Sequence, residues 1–331
     1  MRILLWYAHG SYVNALVRGP HRYVFLDRDP SGAGIPQPTM PWPAGIEITS
    51  VADVRAERPD LVIIQRLEEI DFCQRELGFE PGRDVPAIFL EHNTPGDRVP
   101  STRHPLADAE HWLIAHVTRF NSLMWDCGST PTTFVAHGVP DPGPLYQGDL
   151  PRAGFVANEP VRRFRPSGAD LIPAVAGSAG VDAYGMAGDQ LRDRLPGVDL
   201  RWVGNFALGE LHELLARDRL YLHLTRWTSL GLSLLEAMHL SMPVVVLGTT
   251  EAATLPPEIG AVSTDLGHLR QRVAALIADP DEARRCGQVA RAVALERYGL
   301  PRFLTDWDQT YEDCRDAFGH RALRPVKPAV T

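Results

Sequence analysis

Short apolar segments alternate with amphipathic stretches along almost the whole of this 331-residue chain. Short apolar runs are typical of buried parallel strands, and helical stretches between them are typical of the crossovers that join such strands. The strand pattern occurs at residues 2–6, 23–26, 61–65, 87–90, 112–115 and 133–136, and again at residues 154–157, 181–184, 200–203, 220–224, 244–247 and 261–263. The pattern therefore predicts an α/β protein with two Rossmann-like, doubly wound sheets.

The two series of strands are separated by the segment VPDPGPLYQGDLPRA at residues 139–153, which has several prolines and no hydrophobic period. This composition is typical of an interdomain linker, and a chain of this length is expected to form two domains of roughly 150 residues each. We therefore predict domains over residues 1–148 and 149–300. We also predict a helix over residues 301–318. One possible arrangement is that this helix packs back on the first domain. We predict a disordered tail over residues 319–331. Sheets of this kind bind ligands beyond the carboxyl ends of their strands, so two facing domains imply a cleft.

Composition limits the classes of protein to which the chain belongs. A net charge of -8 and a pI of about 5.8 give no general attraction for nucleic acid. No stretch is long enough to span a bilayer and the start lacks the pattern of a signal peptide, so we expect a cytoplasmic protein. Peripheral contact with a membrane and the oligomeric state stay open. The four cysteines form no CxxC pair, which favours buried free thiols over a zinc or disulfide framework.

The chain has a single lysine, Lys327, which lies in the tail, and all its other residues of these two types are arginines. A phosphate group held by a side chain in the folded part must therefore be held by arginine or histidine.

The segment YLHLTRWTSLGLSLLEAMHLSMPVVVL reads as a strand, a turn through Gly231, a helix and a buried strand opened by Pro243. The helix has almost no polar face, so we expect it to be buried with Glu236 in its middle. A buried carboxylate is costly unless it is hydrogen-bonded. Either an internal arginine pairs with Glu236, or a ligand with adjacent hydroxyl groups, such as a ribose, donates to both of its oxygens.

The start of the same helix favours the ligand. Backbone N–H groups at the first turn of a helix lack partners and lie at the positive end of its dipole, which suits an anion. These groups belong to Ser229, Leu230, Gly231 and Leu232, and the glycine would let a phosphate approach closely. A diphosphate at the helix start and a ribose one turn further in is the arrangement that a sugar nucleotide requires.

The sequence SLGLSLLEAMHLSMPVVV resembles the donor-site signature of family-4 retaining glycosyltransferases, which have the GT-B fold. The resemblance implies that Glu236 is the second glutamate of that signature, which contacts the ribose. The first glutamate of the signature, which contacts the donor sugar, falls on Thr228. We therefore expect recognition of the donor sugar to depart from that of the family.

Outside this segment the resemblance is looser. The segment FVANEPVRRFRPSGADLI is similar to the phosphate loop of the family's second domain, with Arg162 on its arginine and Ser167 in place of its lysine. Arg163 or Arg165 would then supply the missing charge, because arginine can grip phosphate with two N–H groups. The alternative is that this arginine cluster is a solvated loop.

Two further segments are similar to donor-binding parts of the family. In RWVGNF, backbone groups at Gly204, Asn205 and Phe206 would read the edge of the nucleotide base. After the strand at 244–247, Thr249, Thr250 and Glu251 occupy the place of a glycine-rich turn, for which we expect a contact with the donor.

In the first domain, IFLEHNTP places His92 just past an apolar strand and resembles a strand of the family that ends in a histidine near the reacting sugar. By that resemblance His92 would bind the donor sugar or align the acceptor, although a histidine at a strand end is often structural. Gly10 and Ser11 occupy the place of the family's glycine-rich first loop, where they would contact phosphate or acceptor. The polar loop at 96–104 is a candidate for acceptor binding through Arg98 and Arg103.

The resemblance implies transfer of a sugar from a nucleoside diphosphate sugar to an unidentified hydroxyl acceptor, with retention and with neither metal nor cofactor. The second domain would bind the sugar nucleotide, the first would bind the acceptor, and His92, Arg162 and Glu236 would be the catalytic residues. The alternatives are a sugar-nucleotide epimerase or phosphorylase on the same fold, and a non-catalytic sugar-nucleotide-binding protein. The departures at Thr228 and Ser167 motivate the last of these.

Overall fold

The structure is a computed structural model that describes residues 1–35, 41–96 and 99–322, with side chains as far as His320. The chain divides into two compact units. Unit 1 comprises Met1–Gly138 together with Pro301–Thr331, and unit 2 comprises Val139–Leu300.

Unit 1 contains a parallel sheet of seven strands in the order β3-β2-β1-β4-β5-β6-β7. The strands are β1 (Arg2–Leu5), β2 (Arg22–Leu26), β3 (Ile46–Thr49), β4 (Leu61–Ile64), β5 (Ala87–Glu91), β6 (Leu113–His116) and β7 (Thr132–Phe134). The helices that follow them are α1 (Gly10–Leu16), α2 (Val51–Ala56), α3 (Leu67–Phe72), which runs into a π turn at Cys73–Leu77, and α4 (Arg119–Met124).

Unit 2 contains a parallel sheet of six strands in the order β10-β9-β8-β11-β12-β13. Its strands are β8 (Leu150–Val156), β9 (Gly180–Tyr184), β10 (Leu200–Gly204), β11 (Asp218–His223), β12 (Val244–Leu247) and β13 (Gly260–Ser263). Its helices are α5 (Ile172–Ala176), α6 (Leu191–Arg194), α7 (Leu208–Leu215), α8 (Leu232–His239), α9 (Leu266–Ala278) and α10 (Pro280–Tyr298).

The sheet of unit 2 is covered on both faces. Successive side chains of a strand point to opposite faces, and the strands here divide accordingly between two apolar clusters. Leu220 and Leu222 pack with α5 and α9, whereas Tyr221, between them, packs with α8 and α10. Burial on both faces explains why these strands are continuous apolar runs.

The last described helix is α11 (Leu300–Ala322), which belongs to unit 1 from Pro301 onward. Phe303, Trp307 and Tyr311 are fully buried along it, and the Trp307 indole donates to the Tyr12 hydroxyl at 3.2 Å. The helix reaches beyond residue 318, so residues 319–322, which the sequence placed in a disordered tail, are helical. Residues 323–331 lie outside the described part of the chain.

The two Rossmann-like parallel sheets predicted from the sequence are confirmed. No helix in the described ranges is both long and apolar enough to cross a membrane. All four cysteines are free and buried.

Candidate functional site

The strand order of unit 2 reverses between β8 and β11, which are neighbours in the sheet. The chain leaves the ends of these two strands toward opposite sides, and ligands of doubly wound sheets bind at such a switch point. The loop after β8 carries the arginine cluster, and the loop after β11 leads into α8. The topology therefore brings two of the sequence-predicted donor segments to the same edge of one sheet.

The first turn of α8 has free backbone donors. The N–H groups of residues 229–232 donate to no acceptor among the described residues, and the first helical bonds are made by Leu234 and Leu235 to the Gly231 carbonyl, at 3.1 and 3.4 Å. Gly231 is extended, with φ -71° and ψ 122°, and caps the helix without a side chain. This helix start therefore offers amides to an anion at the positive end of the helix dipole.

Gly231 also has a packing role that the sequence does not reveal. A Cβ added there would lie 2.5 Å from Cε1 of His223, the last residue of β11. His223 is buried, and burial lowers its pKa to about 4, so the ring is neutral near pH 7. The glycine lets this neutral ring pack directly beneath the start of α8.

Glu236 lies one turn into α8, and the residue is only 7% exposed. No arginine in the described ranges is within ion-pair distance of it. Within the described ranges its ion-pair contact is with His212 of α7, whose Nε2 is 3.8 Å from Oε2, too far for a hydrogen bond. The His212 Nε2 atom is itself buried without a partner. Glu236 is thus a largely buried residue whose carboxylate accepts no hydrogen bond from the described residues, which does not match the internal-arginine interpretation.

The loops after β8 and β11 are held together by a close backbone crossing and by hydrogen bonds. Gly168 has φ +76°, and a Cβ there would lie 1.8 Å from the carbonyl oxygen of Leu224. The Arg226 guanidinium donates to both carboxylate oxygens of Asp170, at 2.6 and 2.8 Å, and to the Arg165 carbonyl at 2.6 Å. Only glycine permits this close crossing, and the bidentate pair fixes the spacing of the two loops.

The arginines of the loop after β8 differ in their partners. Arg162 is paired with Glu159 (Nε to Oε1, 3.0 Å), and Arg165 lies 3.6 Å from Asp170. Arg163 is exposed and makes no ion pair or hydrogen bond through its side chain within the described residues. Ser167, at the lysine position of the family, is buried and its hydroxyl donates locally to the Phe164 carbonyl at 3.4 Å. Arg163 is therefore the cluster's uncommitted charge.

The loop after β12 braces the segment that precedes α8. Thr249 donates to the Thr225 carbonyl at 3.0 Å, and Thr250 donates to the Ser229 carbonyl at 3.5 Å. Thr228, at the position of the family's first glutamate, lies half-buried in the braced segment.

The proposed base-reading segment begins at Gly204, the last residue of β10. Gly204 has φ +148°, and its carbonyl accepts from the Gly185 N–H at 2.9 Å, which joins it to the end of β9. Asn205 is exposed, whereas Phe206 packs against the apolar cluster that contains α8. Asn205 is thus the most exposed side chain of this segment.

In unit 1, Glu91 at the end of β5 has local partners. Its carboxylate accepts from the Asn93 N–H at 2.6 Å and lies 3.2 Å from Nε2 of His104. Nδ1 of His104 accepts from the Leu106 N–H at 3.1 Å, so a neutral His104 carries its proton on Nε2 and donates to Glu91. These contacts give Glu91 a structural role.

His92 is buried at the same strand end, and its Nε2 lies 3.0 Å from Oε1 of Gln65. The rings of His9 and Tyr12 contact it, with centroids 4.1 and 4.7 Å away. The pKa of His92 lies well below its ordinary value. Burial is the largest cause, and the neighbouring His9 and His137 lower the pKa further. His92 is therefore a neutral imidazole near pH 7.

The remaining sequence candidates lie in different surroundings. Gly10 is the first residue of α1, directly before Ser11, and a Cβ there would lie 2.9 Å from the Tyr7 hydroxyl. Arg103 forms an exposed ion pair with Asp108. Arg98 lies outside the described residues.

Three side chains of these two sites were missed by sequence reasoning: Gln65, His212 and Arg226. Gln65 directly follows an apolar strand, the same signal that singled out His92. Arg226 lies inside the donor segment, yet its partner Asp170 is far away in sequence. His212 belongs to another helix and has no local signal.

Comparisons with known proteins were made at the level of sequence and of structure. No protein-family model matches the chain, and no curated protein matches its sequence. Solved structures match over nearly the full length, including sucrose-phosphate synthase from Thermosynechococcus elongatus, with a TM-score of 0.72 at 15% identity over 96% of this chain and 100% of that one.

Two other solved structures match in the same way. Anabaena HepE in complex with UDP-glucose has a TM-score of 0.67 at 14% identity, over 95% of this chain and 100% of that one. WaaG, a glycosyltransferase of lipopolysaccharide biosynthesis, has a TM-score of 0.63 at 12% identity, over 95% of this chain and 99% of that one. With its two Rossmann-like parallel sheets, the chain thus has the fold of the GT-B glycosyltransferases.

Proposed function

We propose that this protein is a retaining, metal-independent glycosyltransferase that moves a sugar from a nucleoside diphosphate sugar to a hydroxyl acceptor. One observation carries the proposal: Glu236, a largely buried residue whose carboxylate accepts no hydrogen bond from the described residues, lies one turn inside a helix whose first amides are free. HepE, which has the same fold, was solved with UDP, with UDP and glucose, and with UDP-glucose.

The spacing of these groups suits the donor. Glu236 comes four positions after Leu232, a rise of about 6 Å along the helix. A diphosphate at the amides then has its ribose beside the carboxylate, and the two ribose hydroxyls donate to the two oxygens. These bonds would offset the cost of burying the charge of Glu236.

The same groups would stabilise the leaving group. Cleavage of the bond between the sugar and the diphosphate leaves negative charge on the phosphate oxygens, beside the amides of α8 and the free guanidinium of Arg163. In a retaining reaction of the kind that the resemblance implies, a phosphate oxygen takes the proton of the acceptor hydroxyl on the face that the leaving group vacates. No separate base residue is then required.

Donor recognition is expected to differ from that of the family at Thr228. A carboxylate would accept hydrogen bonds from two sugar hydroxyls, whereas a threonine hydroxyl offers one short polar group. We therefore propose that the donor sugar lacks a hydroxyl at this contact or presents it in another orientation.

The proposal is tested by assaying transfer from a panel of nucleoside diphosphate sugars to hydroxyl acceptors in the presence of EDTA. We expect turnover with at least one donor, and a product whose anomeric configuration, read by NMR, equals that of the donor. An inverted product would contradict retention, and full loss of activity in EDTA would contradict metal independence.

The two alternatives give other results in the same assay. Epimerised sugar nucleotide formed without acceptor, or phosphorolysis of a glycoside, would identify the epimerase or phosphorylase. Tight nucleotide binding without turnover of any donor would identify the binding protein.

A further inference from the structure

The polar contacts of His92 at the carboxyl end of β5 determine which ring nitrogen carries the proton. Gln65 follows β4, the neighbouring strand, and is buried. Its amide Nε2 donates to the Trp6 carbonyl at 2.8 Å. That bond turns the amide oxygen of Gln65 toward His92, whose Nε2 lies 3.0 Å away.

An amide oxygen can only accept, so the hydrogen of a neutral His92 lies on Nε2 and points at Gln65. The other ring nitrogen, Nδ1, is then an unprotonated acceptor. Nδ1 makes no hydrogen bond with any group in the described ranges. It is also not fully enclosed by those residues, so a ligand can reach it.

The surroundings keep the ring in this neutral form. His9 and Tyr12 contact it from the start of α1, and His137, which follows β7, adds to the effect. Burial lowers the pKa values of His9 and His137 as well, to about 4 for His137, so none of the three imidazoles is charged near pH 7. Glu91 is the nearest carboxylate in sequence, and its oxygens accept from Asn93 and His104 instead.

We propose that Gln65 is a positioning residue for His92: it holds the proton on Nε2 and so presents Nδ1 as an acceptor to a hydroxyl group of the sugar substrate. The role of Nδ1 toward a sugar rests on the proposed glycosyltransferase function. The assignment of the tautomer does not, because it follows from Gln65 and Trp6 alone.

The tautomer is tested on the full-length wild-type protein labelled with 15N-histidine. Long-range 1H–15N correlation separates a protonated ring nitrogen from an unprotonated one, and the His92 signals are assigned by their loss in H92N. We expect Nε2 to be protonated and Nδ1 unprotonated from pH 6 to pH 8. A protonated Nδ1, or a doubly protonated ring in this range, would overturn the proposal.

The role of Gln65 is tested with Gln65→Glu and Gln65→Leu. The carboxylate of Gln65→Glu raises the pKa of His92, so its transfer rate should fall toward pH 6 while that of the wild type stays level. Gln65→Leu removes the hydrogen bond to His92 together with the one to the Trp6 carbonyl, and its rate should fall about fivefold at every pH, with a mixture of tautomers in the spectrum.

The matched control is Gln74→Glu, since Gln74 is an exposed glutamine of the same unit. It should behave as wild type in both measurements. A Gln65→Glu variant with the pH profile of the wild type would refute the positioning role. If the wild type transfers no sugar from any donor, the proposed function fails, and the tautomer is still decided by the wild-type spectrum.

Discussion

The contact between Gly231 and His223 makes the start of α8 sensitive to a single methyl group. A Cβ at position 231 would lie 2.5 Å from Cε1 of a buried ring, well inside van der Waals contact. Gly231→Ala must therefore displace the ring or the first turn of the helix. Overpacking of this kind costs about 1–3 kcal/mol, and it would also move the amides that we propose for the diphosphate.

Removal of the ring should relieve this clash. His223→Ala alone should cost about 2–4 kcal/mol, because it leaves a cavity beneath α8. In the double variant the alanine methyl enters that cavity, so we expect its loss of stability to fall short of the sum of the single losses by about 1–2 kcal/mol. Nucleotide affinity, reduced in Gly231→Ala, should recover in the double variant, because the added methyl points at the ring.

Urea unfolding measures the stabilities and calorimetry with a nucleoside diphosphate measures the affinities. Gly209→Ala is the matched control, since Gly209 lies on α7 and a Cβ there meets nothing within 4 Å. It should be neutral or slightly stabilising. Additive losses in the double variant would show that the clash with His223 is not what requires glycine. Stability that recovers without recovery of affinity would indicate that the phosphate itself approaches position 231.

Three further predictions concern single side chains. Arg163→Ala should weaken nucleoside diphosphate binding in calorimetry about tenfold, whereas Arg162→Ala, whose guanidinium is committed to Glu159, should change it less than twofold; equal effects would contradict the assignment of the free charge. Thr228→Glu should change the order of preference among donor sugars in a transfer assay, and an unchanged order would argue against a donor contact at 228. Burial raises the pKa of Asp218 to about 8 from 3.8, so the folded state retains a proton that the unfolded chain releases, and stability falls as the pH rises between these values. Asp218→Asn removes that dependence, and its gain in unfolding free energy over wild type should be larger at pH 8 than at pH 5; a gain independent of pH would refute the buried neutral carboxyl.

The sequence predicts the fold well wherever strands are buried on both faces, because such strands are continuous apolar runs. It misses β3, whose residues IEIT lie at the edge of the sheet with Ile48 58% exposed, so that no apolar run marks the strand. The start of β8 is also missed, since Leu150, Pro151 and Arg152 resemble the linker in composition. Edge strands and strand starts satisfy fewer burial constraints, and their sequences carry less of the pattern.

The burial of Glu236 could be predicted from the apolar helix around it, but its surroundings could not. The approach of His212 comes from another helix and depends on packing between elements. The pairing of Arg162 with Glu159 depends on a local turn in which Glu159 has φ 51°, and no residue type announces that conformation. Sequence therefore selects candidate groups, and the structure determines which of them are already committed to internal partners.

The central claim is that the Glu236 carboxylate binds the hydroxyls of a nucleotide ribose, and a thermodynamic cycle tests it most directly. Calorimetry gives the Kd of UDP and of 2′,3′-dideoxy-UDP for the wild type, for Glu236→Gln and for Glu213→Gln, an exposed carboxylate of the same unit as control. Hydrogen bonds to a charged group should make the wild type and the control prefer UDP by roughly tenfold or more. The account predicts that Glu236→Gln loses most of this preference and binds the dideoxy compound as the wild type does. An equal preference for UDP in Glu236→Gln and in the wild type would contradict it.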